Sequence, residues 1–420
     1  MTNPPMALFD SIKYTHGHGG SSRYPTQGQR VNTPTEQVFG NAHIVLAESV
    51  VHGSVRVVNG LVQEISESFD TGHEPSVATV DCQGDYLIPG LIELHTDHLE
   101  THYSPRPGVR WGMKAAIQAH DAQIAAAGIT TVFDCLRMGL EGEDEFEAGE
   151  MRLLATALRE ARDQNRLRVE HRLHLRCEVS ARDMMSDFNQ FADDDDVGLV
   201  SMMDHAPGQR QFTSMEAFKL YHKTKHKMSD EVYERYIAGR VEGSEKYADR
   251  NRRALAEQCA QRGVVMASHD DATLAHVDES LRFGVKLAEF PTTLEAAKAS
   301  HGAGLGVLMG APNVVRGRSH SGNVAAHTLV ENRCLDILSS DYVPASLLQA
   351  AFTLAESSGV MGIPEAIATV TRNPARFIGL HDRGEIAQGL RADLVRVAYH
   401  PEQDPAPIVR GVWLRGERVS

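Results

Sequence analysis

The pattern of apolar and polar positions divides the chain into stretches of different character. Residues 1–36 are rich in Pro, Gly, Ser, Thr and Gln and show no periodic apolar position. They read as a mobile leader that lacks the apolar core of a secretory signal. From Gln37 to Pro89 short segments rich in Val and Ile alternate with polar residues, AHIVLAESVVHGSVRVVNGLVQEISE, with breaks at Gly53 and Asn59-Gly60. Alternation of period two predicts strands, and Asn-Gly between two of them predicts a tight hairpin. From Gly90 onward short apolar runs are separated by longer helical patterns. The runs are GLIELHTD, GITTVFD, RLHLRCEV, GLVSMMDH, VVMASHD, VKLAEF, GLGVLMGAP and LDILSSD; the intervening stretches include EMRLLATALREARDQ and NRRALAEQCAQRG.

Strand and helix in alternation imply parallel βαβ units, and eight such units predict an α/β fold of the (β/α)8 barrel type. The tail returns to strand character in GEIAQGLRADLVRVAY and PIVRGVWLRGERV. The expected organisation is a leader (1–36), one part of a small β-sandwich (37–89), the barrel (90–379) and the rest of the sandwich (380–420). The acidic run at 193–196 reads as a solvated loop.

Composition narrows the function classes. The chain of 420 residues has 42 Lys+Arg against 56 Asp+Glu, a formal charge of −14, and no long basic run. Nucleic acid and anionic membranes need a positive footprint, so neither is an expected partner. No apolar run is long enough to span a bilayer. The five cysteines are scattered without a C-x-x-C pair, which fits reduced thiols in a cytoplasm and excludes a disulfide scaffold. Histidine is abundant, with 21 copies, and it is the commonest metal ligand.

Most barrel runs end in a residue able to bind metal, at the end that faces the active site in barrel enzymes. The first ends His95-Thr96-Asp97, and residues i and i+2 of a strand share a side. Later runs end in Glu178, in Asp204-His205, in His269-Asp270-Asp271 and in Asp341. One such ending is weak, because polar strand ends usually cap or hydrogen-bond. Together His95, Asp97, Glu178, His205, His269 and Asp341 could hold one or two divalent ions, with Glu178 placed to bridge two.

LIPGLIELHTD after a β segment, GITTVFD, and the tail TRNPARFIGLHDRGEIAQGLRADLVRV together resemble the amidohydrolase superfamily. Within it, HTDHLETHYSPRPGVRW, FDCLRMG, LRCEV, MDHAPGQRQF, ASHDD, the stretch EFPTTLEAAKASHGAGLGVLMGAPNVVRGRSHSGNV and LDILSSDY resemble the phosphonate-degradation branch, from about residue 37 to the end. The superfamily usually opens with H-x-H; this chain has His95-x-Asp97, a change shared by that branch.

The resemblance implies hydrolysis of alpha-D-ribose 1-methylphosphonate 5-triphosphate, in the carbon-phosphorus lyase pathway, to the 5-phosphate and pyrophosphate. It implies one or two divalent ions, zinc first and manganese or magnesium as alternatives. His95, Asp97, His205 and His269 are then the expected ligands with Glu178, and Asp341 is expected both to touch metal and to take the proton from the attacking water.

A polyanionic substrate needs donors. The segment Gly310 to Asn323 offers Asn313, Arg316, Arg318, Ser319, His320, Ser321 and Asn323 after barrel strand seven, where barrels often bind phosphate. Arg106 and Arg110 after strand one and Arg137 after strand two are further candidates. His98 and His102 read as supporting groups rather than ligands, and YHKTKHK (221–227) as a lid over the triphosphate or a solvated helix face. A homo-oligomer is left open. The rivals are a cyclic amidohydrolase or deaminase of the same fold, since fold does not fix substrate, and a non-catalytic scaffold relative, which would have lost metal ligands.

Overall fold

The computed structural model describes residues 36–67, 77–139, 146, 149–194, 196–206, 210, 230–319, 322–357, 359–402 and 404–420. Residues 1–35 of the expected leader and the basic stretch 221–227 lie outside the described residues, and Glu36 already belongs to the first strand. In chain order the strands are β1 (Glu36–Val45), β2 (Val50–Val58), β3 (Leu61–Ser66), β4 (Ala78–Asp81), β5 (Tyr86–Pro89), β6 (Leu91–Thr96), β7 (Ile129–Met138) and β8 (Glu170–Glu178). They continue with β9 (Val197–Met203), β10 (Val265–His269), β11 (Leu287–Glu289), β12 (Gly306–Gly310), β13 (Ile337–Ser339), β14 (Leu394–His400), β15 (Asp404–Leu414) and β16 (Glu417–Arg418).

Both chain ends contribute to one continuous mixed sheet, in the order β16-β15-β14-β5-β1-β2-β3 with β4 paired to β1. The Asn59-Gly60 signal becomes the β2–β3 hairpin, with φ of 52° and 77° at its two central residues, as a tight hairpin turn requires. Gly53 behaves differently from the expectation. It does not break a strand but sits within β2 opposite Ala42, where a Cβ would lie 1.9 Å from the Ser66 carbonyl oxygen. The backbones approach too closely there for any side chain. The sheet's apolar face is buried around Phe39, Ile44, Leu87 and Trp413, with the Phe39 and Trp413 rings edge to face at 4.9 Å.

All eight apolar runs become the parallel strands β6 to β13 of the barrel. The seam between first and last strands is closed by a parallel bridge between Thr96 and Asp341, and Thr96 Oγ1 donates to the Asp341 carbonyl at 2.8 Å. Below it the fully buried Glu93 accepts from Ser339 Oγ at 2.7 Å, from the Ser340 amide at 2.5 Å and from the His95 amide at 2.6 Å.

The barrel bore is plugged by an apolar layer of Ile92, Leu94, Phe133, Leu199, Ala267, Leu287, Leu308 and Ile337. Stepping two residues along a strand keeps a side chain on the same face. The step from Ala267 therefore leads to His269, from Leu287 to Glu289 and from Ile337 to Ser339, and Asp341 follows just beyond the end of that strand. The plug is the floor, and the polar residues above it are the site. The acidic run corrects the expectation of a solvated loop: Asp194 is buried and accepts from Arg152 at 2.6 Å and Arg159 at 2.8 Å.

Candidate metal centre

The expected histidines meet at the C-terminal end of the barrel strands. The His95 and His269 rings stack with centroids 5.4 Å apart, and the His205 and His269 rings lie edge to face at 5.8 Å. Each has a carboxylate behind its Nδ1. Glu289, fully buried at the end of β11, lies 3.2 Å from Nδ1 of His95 through one oxygen and 3.2 Å from Nδ1 of His269 through the other. Glu178 Oε2 lies 2.7 Å from Nδ1 of His205. A carboxylate on Nδ1 fixes the tautomer and leaves Nε2 as the donor atom for a metal.

Asp270 faces those Nε2 atoms. Its Oδ2 lies 3.6 Å from His269 Nε2 and 3.9 Å from His205 Nε2. The oxygen is buried with no hydrogen-bond partner. These spacings are too long for hydrogen bonds. Ligand atoms on a tetrahedral ion at about 2.0–2.2 Å are about 3.4 Å apart, so the group fits a divalent ion without large movement. The residue is held with φ of 59°, a left-handed conformation uncommon outside glycine and tolerated by Asp.

Glu178 is placed differently from a bridging ligand. Its oxygens are engaged by His205 Nδ1, the His205 amide at 3.2 Å and Ser180 Oγ at 2.5 Å, with Arg240 at 3.4 Å. Burial opposes its charge, but Arg240 and His205 hold the carboxyl well below its usual range. Asp97 has left the strand, with φ −98° and ψ 17°, so the i and i+2 rule does not govern it. It sits half-exposed, 3.3 Å from the Arg176 guanidinium. Burial first, and then the Asp97 charge, push the Asp341 carboxyl up to about 7.

The candidate anion binders are dispersed. Arg110 donates to both oxygens of Glu150, at 2.9 and 3.2 Å, and Arg137 pairs with Glu100 at 3.0 Å. The two guanidiniums pack over the Phe146 ring, each at 4.9 Å. Arg106 is exposed. Asn313 secures the turn after the helix Ala311–Arg316, accepting from the Ala326 amide at 3.1 Å. Arg316 and Arg318 are exposed and Ser319 and Asn323 half-buried, whereas His320 and Ser321 lie outside the described residues.

Sequence reasoning missed Glu289, Asp270 as the inward carboxylate, and the cations Arg176 and Arg240. Arg176 carried a signal, being two residues before Glu178 on the same strand face. The neighbouring Asp204 and Asp271 are saturated: Asp204 accepts from Arg252 at 2.8 Å and Ser244 at 2.9 Å, and Asp271 from Ser268 at 2.7 Å, Ser280 at 3.0 Å and Arg210.

Comparison with known proteins places this architecture. The sequence profile of the amidohydrolase family matches residues 106–420. The alpha-D-ribose 1-methylphosphonate 5-triphosphate diphosphatase of Escherichia coli is 44% identical over 385 residues, which are 91% of this chain and 100% of that protein. Two solved structures share the fold over 91% of this chain. They are an N-acetylglucosamine-6-phosphate deacetylase from Pasteurella multocida (TM-score 0.60, 12% identity, 99% of that chain) and an N-isopropylammelide isopropylaminohydrolase from Burkholderia multivorans (TM-score 0.61, 16% identity, 98% of that chain).

Proposed function

This chain belongs to the amidohydrolase family, and from that premise we propose that it hydrolyses alpha-D-ribose 1-methylphosphonate 5-triphosphate to the 5-phosphate and pyrophosphate in phosphonate catabolism. The observation that carries the reading is the 44% identity to the diphosphatase across 91% of this chain and the whole of that protein. The identities of 12% and 16% to the deacetylase and the aminohydrolase support the fold alone. Five free, buried cysteines support a cytoplasmic enzyme. Among the described residues no helix is long and apolar enough to cross a membrane.

His95, His205 and His269 are the proposed imidazole ligands, and Asp270, rather than Glu178, is the carboxylate that faces His205 and His269. Zinc is the first choice for such a set, with manganese or magnesium as alternatives. When bound, a divalent ion supplies Lewis acidity and a more acidic water. The chain's own groups do the rest. Asp341, whose carboxyl is pushed up by burial and by the Asp97 charge, is the proposed proton acceptor for the attacking water. Arg176 and Arg240 set positive charge beside Asp97 and Glu178, and the exposed Arg316 and Arg318 follow β12; these four are the proposed contacts for the triphosphate. Attack at the α-phosphorus leaves one phosphate on the ribose and releases pyrophosphate.

The test offers metal-loaded protein the ribosyl methylphosphonate triphosphate, ATP and dihydroorotate, and follows pyrophosphate, orthophosphate and ring opening. Pyrophosphate from the ribosyl compound is expected, and pyrophosphate from neither phosphate compound overturns the reading. In isotopically labelled water the label should appear on the ribose phosphate; label in pyrophosphate refutes attack at the α-phosphorus. Asp341→Asn should lower kcat by about 10²–10⁴-fold with metal content unchanged, and near-normal turnover would remove the proton-acceptor role.

A further inference from the structure

Behind two of the proposed ligands, their neighbouring acids are joined by a chain of charged side chains. His205 follows Asp204 just after β9, and Asp271 follows Asp270 just after β10. Both outer acids are buried, and a guanidinium holds each. Arg252, on the helix Asp249–Arg262, donates from Nη2 to Asp204 Oδ2 at 2.8 Å. The buried Arg210 donates from Nη1 to Asp271 Oδ1. The two guanidiniums then meet on one oxygen of Glu279, which lies on the helix Leu274–Arg282. Arg210 Nη2 donates to Glu279 Oε2 at 2.5 Å, and Arg252 Nε lies 3.6 Å from the same atom. From Asp204 through Arg252, Glu279 and Arg210 to Asp271 the charge changes sign at every step.

The two acids do not need this ladder for local hydrogen bonding. Asp204 also accepts from the Ala206 amide at 3.2 Å and from Ser244 Oγ at 2.9 Å, and Asp271 from Ser268 and Ser280. Nor is a buried ion chain an efficient source of stability, since well-packed apolar side chains of the same volume often serve as well or better. What it supplies is geometry. His205 Nε2 and Asp270 Oδ2 face one another across 3.9 Å, and that oxygen has no hydrogen bond, so nothing between them sets their separation. Asp270 also stands in the left-handed region at φ 59°, a conformation that persists where its surroundings enforce it. Each residue is one planar peptide unit from an acid that the ladder holds. Ligand sets lose affinity when their members drift by more than about 0.5 Å.

We propose that Arg252, Glu279 and Arg210 are positioning residues for the metal centre: anchored on Asp204 and Asp271, they fix the separation of His205 from Asp270 and thereby the affinity for the ion. This rests on the reading of His205 and Asp270 as ligands. Glu279 is the central link. Without its charge, two guanidiniums that share one oxygen are left as like charges in a buried place, and they part, carrying Asp204 and Asp271 with them. Glu279 is itself half-buried, so its side chain can be changed without opening the core.

Chelator-stripped full-length protein is titrated with Zn2+ against a competing chelator and with Co2+ by visible absorption. Glu279→Gln, folded by circular dichroism, should weaken binding about 10-fold and shift the Co2+ bands, a change that a merely structural role would not produce in a folded chain. Arg252→Lys keeps the charge but not the guanidinium that reaches two carboxylates, and should give the same loss. The double variant should lose no more than either single one, because both break one ladder. Arg253→Met removes an exposed pair with Asp249 on the same helix and should leave affinity unchanged. If Glu279→Gln does not fold, Arg252→Lys decides. Wild-type affinity and spectrum in the folded ladder variants, additive losses in the double variant, or an equal loss in Arg253→Met each overturn the proposal while leaving the ligands in place. Wild type that binds neither ion overturns the ligand reading and this proposal with it.

Discussion

Asp270 at the barrel mouth and Asp134 in the wall between strands and helices are both buried carboxylates among histidines, and they are treated oppositely. Asp134 places one oxygen 2.7 Å from His120 Nε2 and the other 2.7 Å from His171 Nδ1. Its charge is neutralised within the fold. Asp270 leaves Oδ2 without a hydrogen bond, facing two imidazole nitrogens at 3.6 and 3.9 Å, from a left-handed backbone. A buried charge is strongly unfavourable unless paired. The saturated carboxylate stabilises the fold, and the unsaturated one is the carboxylate proposed to face a cation. The two carboxylates differ in hydrogen-bond satisfaction, although both stand among histidines.

The contrast can be broken by exchanging charge for amide at each place. In metal-free protein Asp134→Asn should cost about 3–5 kcal/mol of unfolding free energy, the usual cost of removing one partner of a buried pair. Asp270→Asn should leave the urea midpoint unchanged or higher and should instead empty the barrel centre of metal. Comparable destabilisation by both variants would erase the distinction. A smaller effect is expected behind the ligands. Glu289→Gln should weaken metal binding at the barrel centre by about 10–100-fold, read by chelator competition, because His269 loses the acceptor that sets its tautomer and His95 loses the carboxylate charge beside its Nδ1.

A pH dependence belongs to Asp134 and Asp121 together, which both face His171. Burial opposes the His171 charge, but Asp134 and Asp121 raise its pKa to about 9 from 6.5. A raised folded-state pKa stabilises fully below the unfolded value and is lost as pH rises through the folded one. Unfolding free energy should therefore decline between pH 6.5 and 9, and Asp134→Asn should reduce that decline, with Asp121 keeping the remainder, in a series of urea titrations.

The barrel was legible because each strand is a short apolar run punctuated by glycine or by a polar end, a signal that local sequence carries unaided. The strand-end histidines were legible for the same reason. Glu289 was not: at the end of LAE, a three-residue strand, it looks like any acid before a loop, and its importance comes from His95 and His269 reaching it across the bore. Asp270 sits beside a proposed ligand, yet sequence cannot show that it is the acid left without a partner while Asp271 is saturated. Arg110 and Arg137 read as free cations because Glu150 and Glu100, which hold them, lie 40 and 37 residues away. Strand alternation misled at Asp97, where the chain turns into a helix.

The bridge between Thr96 and Asp341 joins residues 245 positions apart and closes the barrel at the residue proposed to accept the proton. During synthesis the histidine of the first strand exists long before its partner across the seam. A growing or C-terminally truncated chain can bury much of its core and still have no Asp341 in register. Competence therefore arrives in one step, when the ring of strands shuts, and appearance of activity during refolding is a direct clock for that closure.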